Sequence, residues 1–285
     1  MKQSRKTILI TGCSTGIGRA TAQRLAGSGH KVYASARKLE AIADLKKSGC
    51  HLLALDVNNE QSMSDAVAAV EAAEGAVDVL VNNAGYSQSG ALEDIPIDSV
   101  RRQFETNVFG LLRMAQLVLP AMREQRSGRI VNIGSMGGRL TFPGGGVYHA
   151  TKYAVEALSD ALRFEVKNFG VAVVLIEPGL IKSSFADTVA ANMDMPSLTD
   201  GAYDEFNAAV AKNTAEIYDN PLYSRAGGVP GDVAKVIEKA IDSAKPKARY
   251  KVTFSAHAII AQRSLMTDSM WDAFMGTQFP KPGKT

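Results

Sequence analysis

Short runs of apolar residues alternate along the chain with longer segments in which apolar residues recur every three to four positions. Runs such as VAVVLIE at 171–177 are continuous rather than alternating, as expected of strands buried on both faces. The longer segments have the period of amphipathic helices. This alternation predicts parallel strands joined by right-handed helical crossovers. The predicted strands are 7–11, 31–36, 51–55, 77–82, 128–135, 171–177 and 249–254, and the predicted helices are 17–28, 38–48, 60–74, 98–125, 148–169, about 230–243 and 257–279.

The pattern predicts an α/β protein that consists of one Rossmann-type domain over residues 1–285. Its core is a doubly wound sheet of about seven mainly parallel strands with helices on both faces. The alternation breaks at about 183–228, where one or two helices with loops are inserted. A helical tail follows the last strand at about 257–279.

Composition and charge exclude several function classes. Hydrophobic residues make up 46% of the 285 residues and charged residues 21%, which is typical of a globular protein with a substantial core. The net charge of +3 is small and the charges are interspersed, so no nucleic-acid partner is expected. The chain has no uninterrupted apolar run of about 18 residues, so no membrane span is expected.

The two cysteines, Cys13 and Cys50, do not form a CxxC pair, and the four histidines are scattered. Neither a disulfide framework nor a metal site is therefore expected, and a reducing cytoplasmic setting is favoured.

The segment TGCSTGIG at 11–18 follows the first predicted strand and opens the first predicted helix. Glycines at such a turn let the backbone approach a pyrophosphate at the helix N-terminus, where free N–H groups and the helix dipole favour an anion. The alternative is an ordinary tight turn, but the strand–turn–helix context favours dinucleotide binding. The residues concerned are Gly12, Ser14, Thr15, Gly16, Ile17 and Gly18.

The end of the second predicted strand indicates which dinucleotide is bound. A carboxylate there binds the ribose 2′-hydroxyl of NAD, whereas an arginine accommodates the 2′-phosphate of NADP. Here Ala36 is followed by Arg37 and Lys38, with no acid. We therefore predict that NADP(H) is preferred and that NAD(H) is possible. The alternative is that Arg37 and Lys38 simply begin a solvated helix.

A tyrosine and a lysine, Tyr148 and Lys152, stand four residues apart at the start of a predicted helix. Residues at this spacing share one helix face. A neighbouring ammonium lowers the pKa of a phenol from its ordinary value of about 10, which makes the phenol a usable proton donor or acceptor. The spacing alone is common and also fits an ordinary polar helix end. His149 points about 100° away from Tyr148 on the helix, so a packing or surface role is expected for it.

Further polar residues are predicted at the carboxyl edge of the sheet, where ligands bind in open α/β folds. Ser135 ends the fifth predicted strand, and the motif NNAG at 82–85 follows the fourth. Asn107 lies inside a long predicted helix, where its low helix propensity calls for a reason.

Together these motifs resemble those of the short-chain dehydrogenase/reductase family over at least residues 5–183. Their order and spacing both match. The matching motifs are T-G-x-x-x-G-x-G at 11–18, N-N-A-G at 82–85, N-x-x-G at 107–110, Ser135, Y-x-x-x-K at 148–152 and P-G at 178–179.

The resemblance implies roles for individual residues. It makes Tyr148 the general acid/base and Ser135 the residue that orients the substrate carbonyl. It implies that Lys152 lowers the tyrosine pKa and binds the nicotinamide ribose, and that Asn107 holds a water in a proton relay. The implied cofactor contacts are Asp56 and Val57 at the adenine, Asn83 and Ala84 on the ribose side, Ile181 and Ser183 at the nicotinamide carboxamide, and also Gly85, Pro178, Gly179, Tyr148 and Lys152.

Two positions depart from the family pattern. Thr15 stands where many NADPH-dependent members carry a second basic residue, which weakens the NADPH prediction. Ser183 replaces the usual threonine after the P-G turn and should serve similarly.

The function that the resemblance implies is that of an NADPH-dependent carbonyl reductase, reversibly an alcohol dehydrogenase. It would act on a small apolar ketone, aldehyde or secondary alcohol, as a homodimer or homotetramer. SAR after the second strand and WDAF in the tail are similar to the branch that holds hydroxysteroid and retinol dehydrogenases. The alternatives are a non-catalytic NADPH-binding regulator on the same fold and an epimerase or dehydratase that uses bound NAD without net turnover.

The insertion at 183–228 is expected to be a mobile lid over the substrate, because it follows the P-G turn and mixes large apolar residues with Gly, Asn and Pro. The alternative is a rigid insertion with a small core of its own. The residues predicted to offer an apolar wall to the substrate are Phe185, Met193, Met195, Tyr203 and Phe206.

Overall fold

Seven strands form one sheet in the order β3-β2-β1-β4-β5-β6-β7, in a computed structural model that describes residues 5–183, 198–217 and 225–283. Each strand is parallel to its neighbours, so this sheet is fully rather than mainly parallel. The chain runs outward from β1 to β3 and then returns to β4 on the other side of β1. The strands are β1 (Thr7–Ile10), β2 (Lys31–Ala36), β3 (His51–Ala54), β4 (Val79–Asn82), β5 (Gly128–Ile133), β6 (Val171–Pro178) and β7 (Arg249–Val252).

Helices cover both faces of the sheet, which explains the continuous apolar runs. In β1, Ile8 and Ile10 pack in one buried cluster and Leu9 packs in another. None of the helices in the described ranges has the length and apolarity needed to cross a membrane. The α-helices are α1 (Gly16–Gly27), α2 (Glu60–Glu74), α3 (Ile97–Phe104), α4 (Gly110–Glu124), α5 (Gly146–Val166), α6 (Asp204–Glu216), α7 (Pro230–Asp242), α8 (Phe254–Leu265) and α9 (Asp268–Met275).

Two predicted helices have a different geometry in the structure. The helix predicted at 38–48 is a 3₁₀ helix, Leu39–Ser48. Its buried residues Ile42 and Leu45 lie three positions apart, which matches the three-residue turn of a 3₁₀ helix. The helix predicted at 98–125 is divided into α3 and α4 by a π-helical turn, Glu105–Phe109.

The C-terminal tail predicted at 257–279 consists of two helices and begins earlier. Thr253 precedes α8, and its side-chain oxygen accepts a hydrogen bond from the backbone N–H of Ala256 at 3.4 Å. Thr267 precedes α9 and accepts in the same way from Met270 at 3.3 Å. Since a capping hydroxyl favours the start of a helix, Thr253 marks the earlier beginning of the tail, and Thr267 begins a second helix within it.

A partly buried cluster of charged side chains joins α5, β6 and β7. Glu177 on β6 is fully buried, and Arg249 on β7 lies 3.0 Å from Glu156 and 3.5 Å from Glu177. Asp160 and Arg139 complete the cluster, with Asp160 2.6 Å from Arg249 and Arg139 3.5 Å from Glu177. Burial, and next the neighbouring Glu177 carboxylate, raise the pKa of Glu156 above its ordinary value of 4.5.

We expect Glu156→Gln to become more stable relative to the wild type as the pH rises from about 5 to about 8. The folded wild type holds a proton on Glu156 that the unfolded chain has released above pH 4.5. The stability that the folded wild type gains from holding this proton is therefore present at low pH and is lost as the pH rises through the raised pKa of Glu156. Glutamine resembles the protonated carboxyl and does not titrate.

The measurement is the free energy of unfolding in urea at both pH values. Glu165→Gln is the control, because Glu165 is exposed on the same helix. A stability difference between wild type and Glu156→Gln that does not change with pH would contradict the expectation.

Candidate active site

A cleft of about 1840 Å³ is lined by residues that follow β1 to β6 at the carboxyl edge of the sheet. This edge, beside the point where the strand order reverses, is where open α/β sheets bind ligands. Of the predicted site residues, only Gly18 and Asn107 do not line the cleft. Those that line it are Gly12, Ser14, Thr15, Gly16, Ile17, Arg37, Asp56, Val57, Asn83, Ala84, Gly85, Ser135, Tyr148, Lys152, Pro178, Gly179, Ile181 and Ser183.

The turn between β1 and α1 requires glycine at two positions for different reasons. Gly12 has a φ of +73°, and a Cβ there would lie 2.9 Å from the Cα of Ala84. Gly18 lies beneath the turn, where a Cβ would lie 2.3 Å from the carbonyl oxygen of Gly12. The side-chain amide of Asn83 donates to the carbonyl oxygens of Thr11 and Gly12, both at 2.9 Å. The Asn83 side chain therefore fixes the turn, and both of its amide hydrogens are used in doing so.

We expect Gly18→Ala to destabilise the protein by about 1–3 kcal/mol and to weaken binding of a nicotinamide dinucleotide, because the new methyl group would displace the Gly12 carbonyl. Gly27→Ala is the matched control on the same helix, since a Cβ at Gly27 has no atom within 4 Å. Thermal unfolding and NADPH titration of both variants make the comparison. Equal behaviour of the two variants would show that the close approach at Gly18 is not required.

One end of the cleft carries positive charge. Arg37 and Lys38 are exposed and line the cleft directly after Ala36, the last residue of β2. Asp56 also lines the cleft, and its Oδ1 accepts from the backbone N–H of Asn58 at 3.0 Å. The donors of the glycine turn and these two cations suit a phosphorylated dinucleotide, so this part of the cleft fits NADP(H).

Ser135, Tyr148 and Lys152 line the same cleft from two neighbouring elements. Ser135 follows β5, and its Oγ accepts a hydrogen bond from the backbone N–H of Gly137 at 3.0 Å. Tyr148 and Lys152 lie in the first two turns of α5, and the Lys152 Nζ is 5.7 Å from the centre of the Tyr148 ring. The spacing of four residues therefore places the ammonium beside the phenol.

Lys152 is buried beside the cleft. Its Nζ donates to the carbonyl oxygen of Ile133 at 2.8 Å, and an ammonium has further N–H donors for a ligand. Burial lowers the pKa of Lys152 from 10.5 to about 8. The side chain is therefore still mainly charged at neutral pH, and its positive charge favours the ionised form of a nearby phenol.

Asn107 lies in the π-helical turn and is 1% exposed. Its Nδ2 donates to the carbonyl oxygen of Tyr86 at 2.9 Å and to the Oγ1 of Thr151 at 3.0 Å, and its Oδ1 accepts from the N–H of Tyr86 at 3.1 Å. The Thr151 hydroxyl in turn donates to the carbonyl oxygen of Tyr148 at 2.7 Å. Asn107 thus connects the backbone of Tyr86 to the start of α5 through hydrogen bonds. Because both of its amide hydrogens are engaged, its side chain donates to protein groups rather than to a relay water.

The cleft also has lining residues that the sequence did not single out. They come from the loop before α5, from α6 and from the C-terminal helices, and the Asn213 side chain joins α6 to the tail by donating to the carbonyl oxygen of Gln278 at 3.0 Å. Apolar spacing predicted the C-terminal helix, but the face that meets the cleft depends on how the tail packs. The additional lining residues include Phe142, Val210, Asn213, Ile259, Gln262, Phe274 and Gln278.

The predicted apolar wall of the insertion is only partly described. Phe185, Met193 and Met195 lie outside the described residues. Tyr203 and Phe206 are described but are not among the residues that line the cleft. Phe206 packs with Ala91 and Val210 in a small cluster, and the Tyr203 hydroxyl donates to Glu93 at 2.6 Å.

The sequence itself matches a known family over most of its length. A sequence model of the short chain dehydrogenase family matches residues 6–194. The chain belongs to the short-chain dehydrogenase family. It is therefore an NAD(P)-dependent oxidoreductase.

Similar members of the short-chain dehydrogenase family cover nearly the whole chain. The 3-ketodihydrosphingosine reductase of Bacteroides thetaiotaomicron is 37% identical over 92% of this chain and 94% of the relative. Retinol dehydrogenase 8 of Bos taurus is 31% identical over 93% of this chain and 87% of the relative. Among solved structures, the closed form of a serine dehydrogenase with NADP⁺ has a TM-score of 0.73 and 28% identity, covering 86% of this chain and 94% of the other.

Proposed function

We propose that this short-chain dehydrogenase is an NADPH-dependent carbonyl reductase, which in reverse oxidises an alcohol. Its substrate is an apolar ketone, aldehyde or secondary alcohol, and Tyr148 is the general acid/base. The observation that carries the proposal is that Ser135, Tyr148 and Lys152 line one cleft together with the glycine turn and Arg37. A carbonyl recognition group, a proton donor and a dinucleotide site thus share one cavity.

The proposed chemistry assigns a separate task to each side chain. NADPH, when bound, supplies the hydride that reduces the carbonyl carbon. Because the Ser135 Oγ accepts from the Gly137 N–H, its own hydrogen is the one that donates to the substrate oxygen. Tyr148 gives its phenolic proton to that oxygen as negative charge develops there. The Lys152 ammonium stabilises the resulting phenolate, and in alcohol oxidation the same proton moves back to Tyr148.

The preference for NADPH rests on Arg37. Arg37 lines the cleft directly after β2, where Ala36 leaves no carboxylate for a ribose 2′-hydroxyl. A guanidinium forms charge-assisted hydrogen bonds with a phosphate. The solved serine dehydrogenase with NADP⁺, which is 28% identical, supports the same cofactor.

The apolar substrate class rests on the remaining lining of the cleft. Phe142, Ile259 and Phe274 offer apolar surface, and Gln262 and Gln278 add a few polar groups. Binding sites for small organic ligands commonly have this mixture. The similarity to a 3-ketodihydrosphingosine reductase and to a retinol dehydrogenase also favours an apolar ketone or alcohol.

The two alternatives are less well supported by the same cleft. A non-catalytic NADPH-binding regulator would not need Ser135, Tyr148 and Lys152 around one cavity. An epimerase or dehydratase with permanently bound NAD would not need an arginine that lines the cleft directly after β2.

The test is a substrate screen with the purified protein, in which turnover is measured as the decrease in NADPH absorbance. The panel contains straight-chain and cyclic ketones, aromatic aldehydes and polar keto acids, each with NADPH or NADH. We expect turnover of apolar carbonyls with NADPH. Tight NADPH binding without any turnover would support the regulator, and conversion without net NADPH consumption would support the epimerase or dehydratase.

A further inference from the structure

His149 is buried next to Tyr148 and contacts the turn that carries Ser135. It is 7% exposed, and its Nδ1 lies 3.0 Å from the carbonyl oxygen of Gly137. A carbonyl oxygen only accepts hydrogen bonds, so the Nδ1 must carry the hydrogen. Burial lowers the pKa of His149 to about 4. The imidazole is therefore neutral throughout the pH range of ordinary assays, with a fixed tautomer.

The imidazole occupies a slot between two glycines. A Cβ on Gly137 would lie 2.3 Å from the Nδ1 of His149, and a Cβ on Gly145 would lie 2.5 Å from the Nε2. The Phe142 ring meets the imidazole edge-on, with ring centres 5.8 Å apart. Because both residues lack a Cβ, there is room for the imidazole between them. The ring connects the segment after Ser135 with the loop that precedes α5.

Hydrogen bonds lead from His149 to Ser135 through a single residue. The His149 Nδ1–H donates to the carbonyl oxygen of Gly137, and the N–H of Gly137 donates to the Ser135 Oγ at 3.0 Å. Gly137 is thus held from both of its peptide groups. Its N–H fills one acceptor site of the hydroxyl, which sets the direction in which the Ser135 hydrogen can point.

We propose that His149 is a positioning residue for carbonyl recognition: it holds Gly137 so that the Ser135 hydroxyl donates toward the substrate oxygen at a fixed distance from Tyr148. His149 adjoins Tyr148 in the chain, and their ring centres are 5.6 Å apart. One side chain therefore couples the turn of Ser135 to the helix of Tyr148. The inference rests on the proposed carbonyl reductase function.

Three substitutions of His149 separate this positioning from packing. Asparagine places its amide N–H on the atom next to Cγ, as Nδ1 is in histidine, whereas glutamine places it one bond further away and leucine has no donor. We expect His149→Leu to lower kcat/KM for a ketone by up to about a hundredfold. This is below the roughly hundredfold to thousandfold cost of losing a direct donor to a reacting oxygen, because His149 acts through Ser135. His149→Asn restores most of this loss and His149→Gln does not.

The deciding measurement is a double-mutant cycle with Ser135→Ala. If His149 acts through Ser135, then His149→Leu adds little to the loss already caused by Ser135→Ala, because the two effects are not additive. NADPH titration and thermal unfolding of each variant identify a general disturbance of the fold. The Asn variant, which keeps a donor, provides the comparison if the Leu variant folds poorly.

Additive losses in this cycle, or equal losses in the Asn and Leu variants, would overturn the inference while leaving the proposed function intact, because the wild type still reduces the ketone. A wild type that reduces no carbonyl compound would overturn both.

Discussion

Tyr148→Phe is expected to lower kcat for ketone reduction by about a hundredfold to ten-thousandfold, the range that a positioned general acid contributes. Phenylalanine keeps the ring and removes only the hydroxyl, so the walls of the cleft are retained. The Lys152 Nζ, 5.7 Å from the ring centre, would then have no phenolate to stabilise. NADPH binding should change little, because the glycine turn and Arg37 are unaffected.

The control for Tyr148→Phe is Tyr153→Phe on the same helix. Tyr153 is 45% exposed and does not line the cleft, so its substitution should leave kcat unchanged. The measurements are steady-state kinetics with a ketone found in the screen and a fluorescence titration with NADPH. Substantial residual reductase activity in Tyr148→Phe would refute the acid/base role.

Arg37→Asp is expected to reverse the cofactor preference from NADPH to NADH. Loss of the guanidinium would remove the proposed charge-assisted contact with the 2′-phosphate, about 1.5–3 kcal/mol or about tenfold to a hundredfold in affinity. The introduced carboxylate repels the phosphate and accepts a hydrogen bond from the 2′-hydroxyl of NADH. The quantity to measure is the ratio of kcat/KM with NADPH to kcat/KM with NADH.

Lys46→Asp separates the local contact from a general change of charge. It makes the same change in charge on the exposed side of the 3₁₀ helix and does not line the cleft. Its effect on the cofactor ratio should be small. A wild type that already prefers NADH, or equal shifts in the two variants, would show that Arg37 does not select the cofactor.

The sheet could be predicted because its strands are apolar on both faces. Ile8 and Ile10 face one buried cluster and Leu9 faces another, so β1 is a continuous apolar run. The position of the site followed from this, since residues after parallel strands meet at one edge. The glycine turn, Ser135 and the pair of Tyr148 and Lys152 accordingly line one cleft.

The features that the sequence did not predict depend on contacts between distant segments. The π-helical turn contains Asn107, whose partners Tyr86 and Thr151 lie 21 and 44 residues away. His149 was expected to pack or to lie at the surface, and it is indeed buried. Its hydrogen bond to Gly137 has no signature in local periodicity. Local periodicity also does not show which face of α8 and α9 lies toward the cleft, because that face depends on how the two helices pack against residues near Met136.

The most direct test of the central claim is to follow the hydride itself. NADPH with deuterium in both positions at nicotinamide C4 is incubated with the wild-type protein and an apolar ketone from the screen, and the alcohol is analysed by mass spectrometry. We expect the alcohol to gain a single deuterium, on the former carbonyl carbon, and Tyr148→Phe to form this product at least about a hundredfold more slowly. An alcohol product without deuterium, or NADPH that stays unconsumed with every carbonyl compound tested, would contradict it.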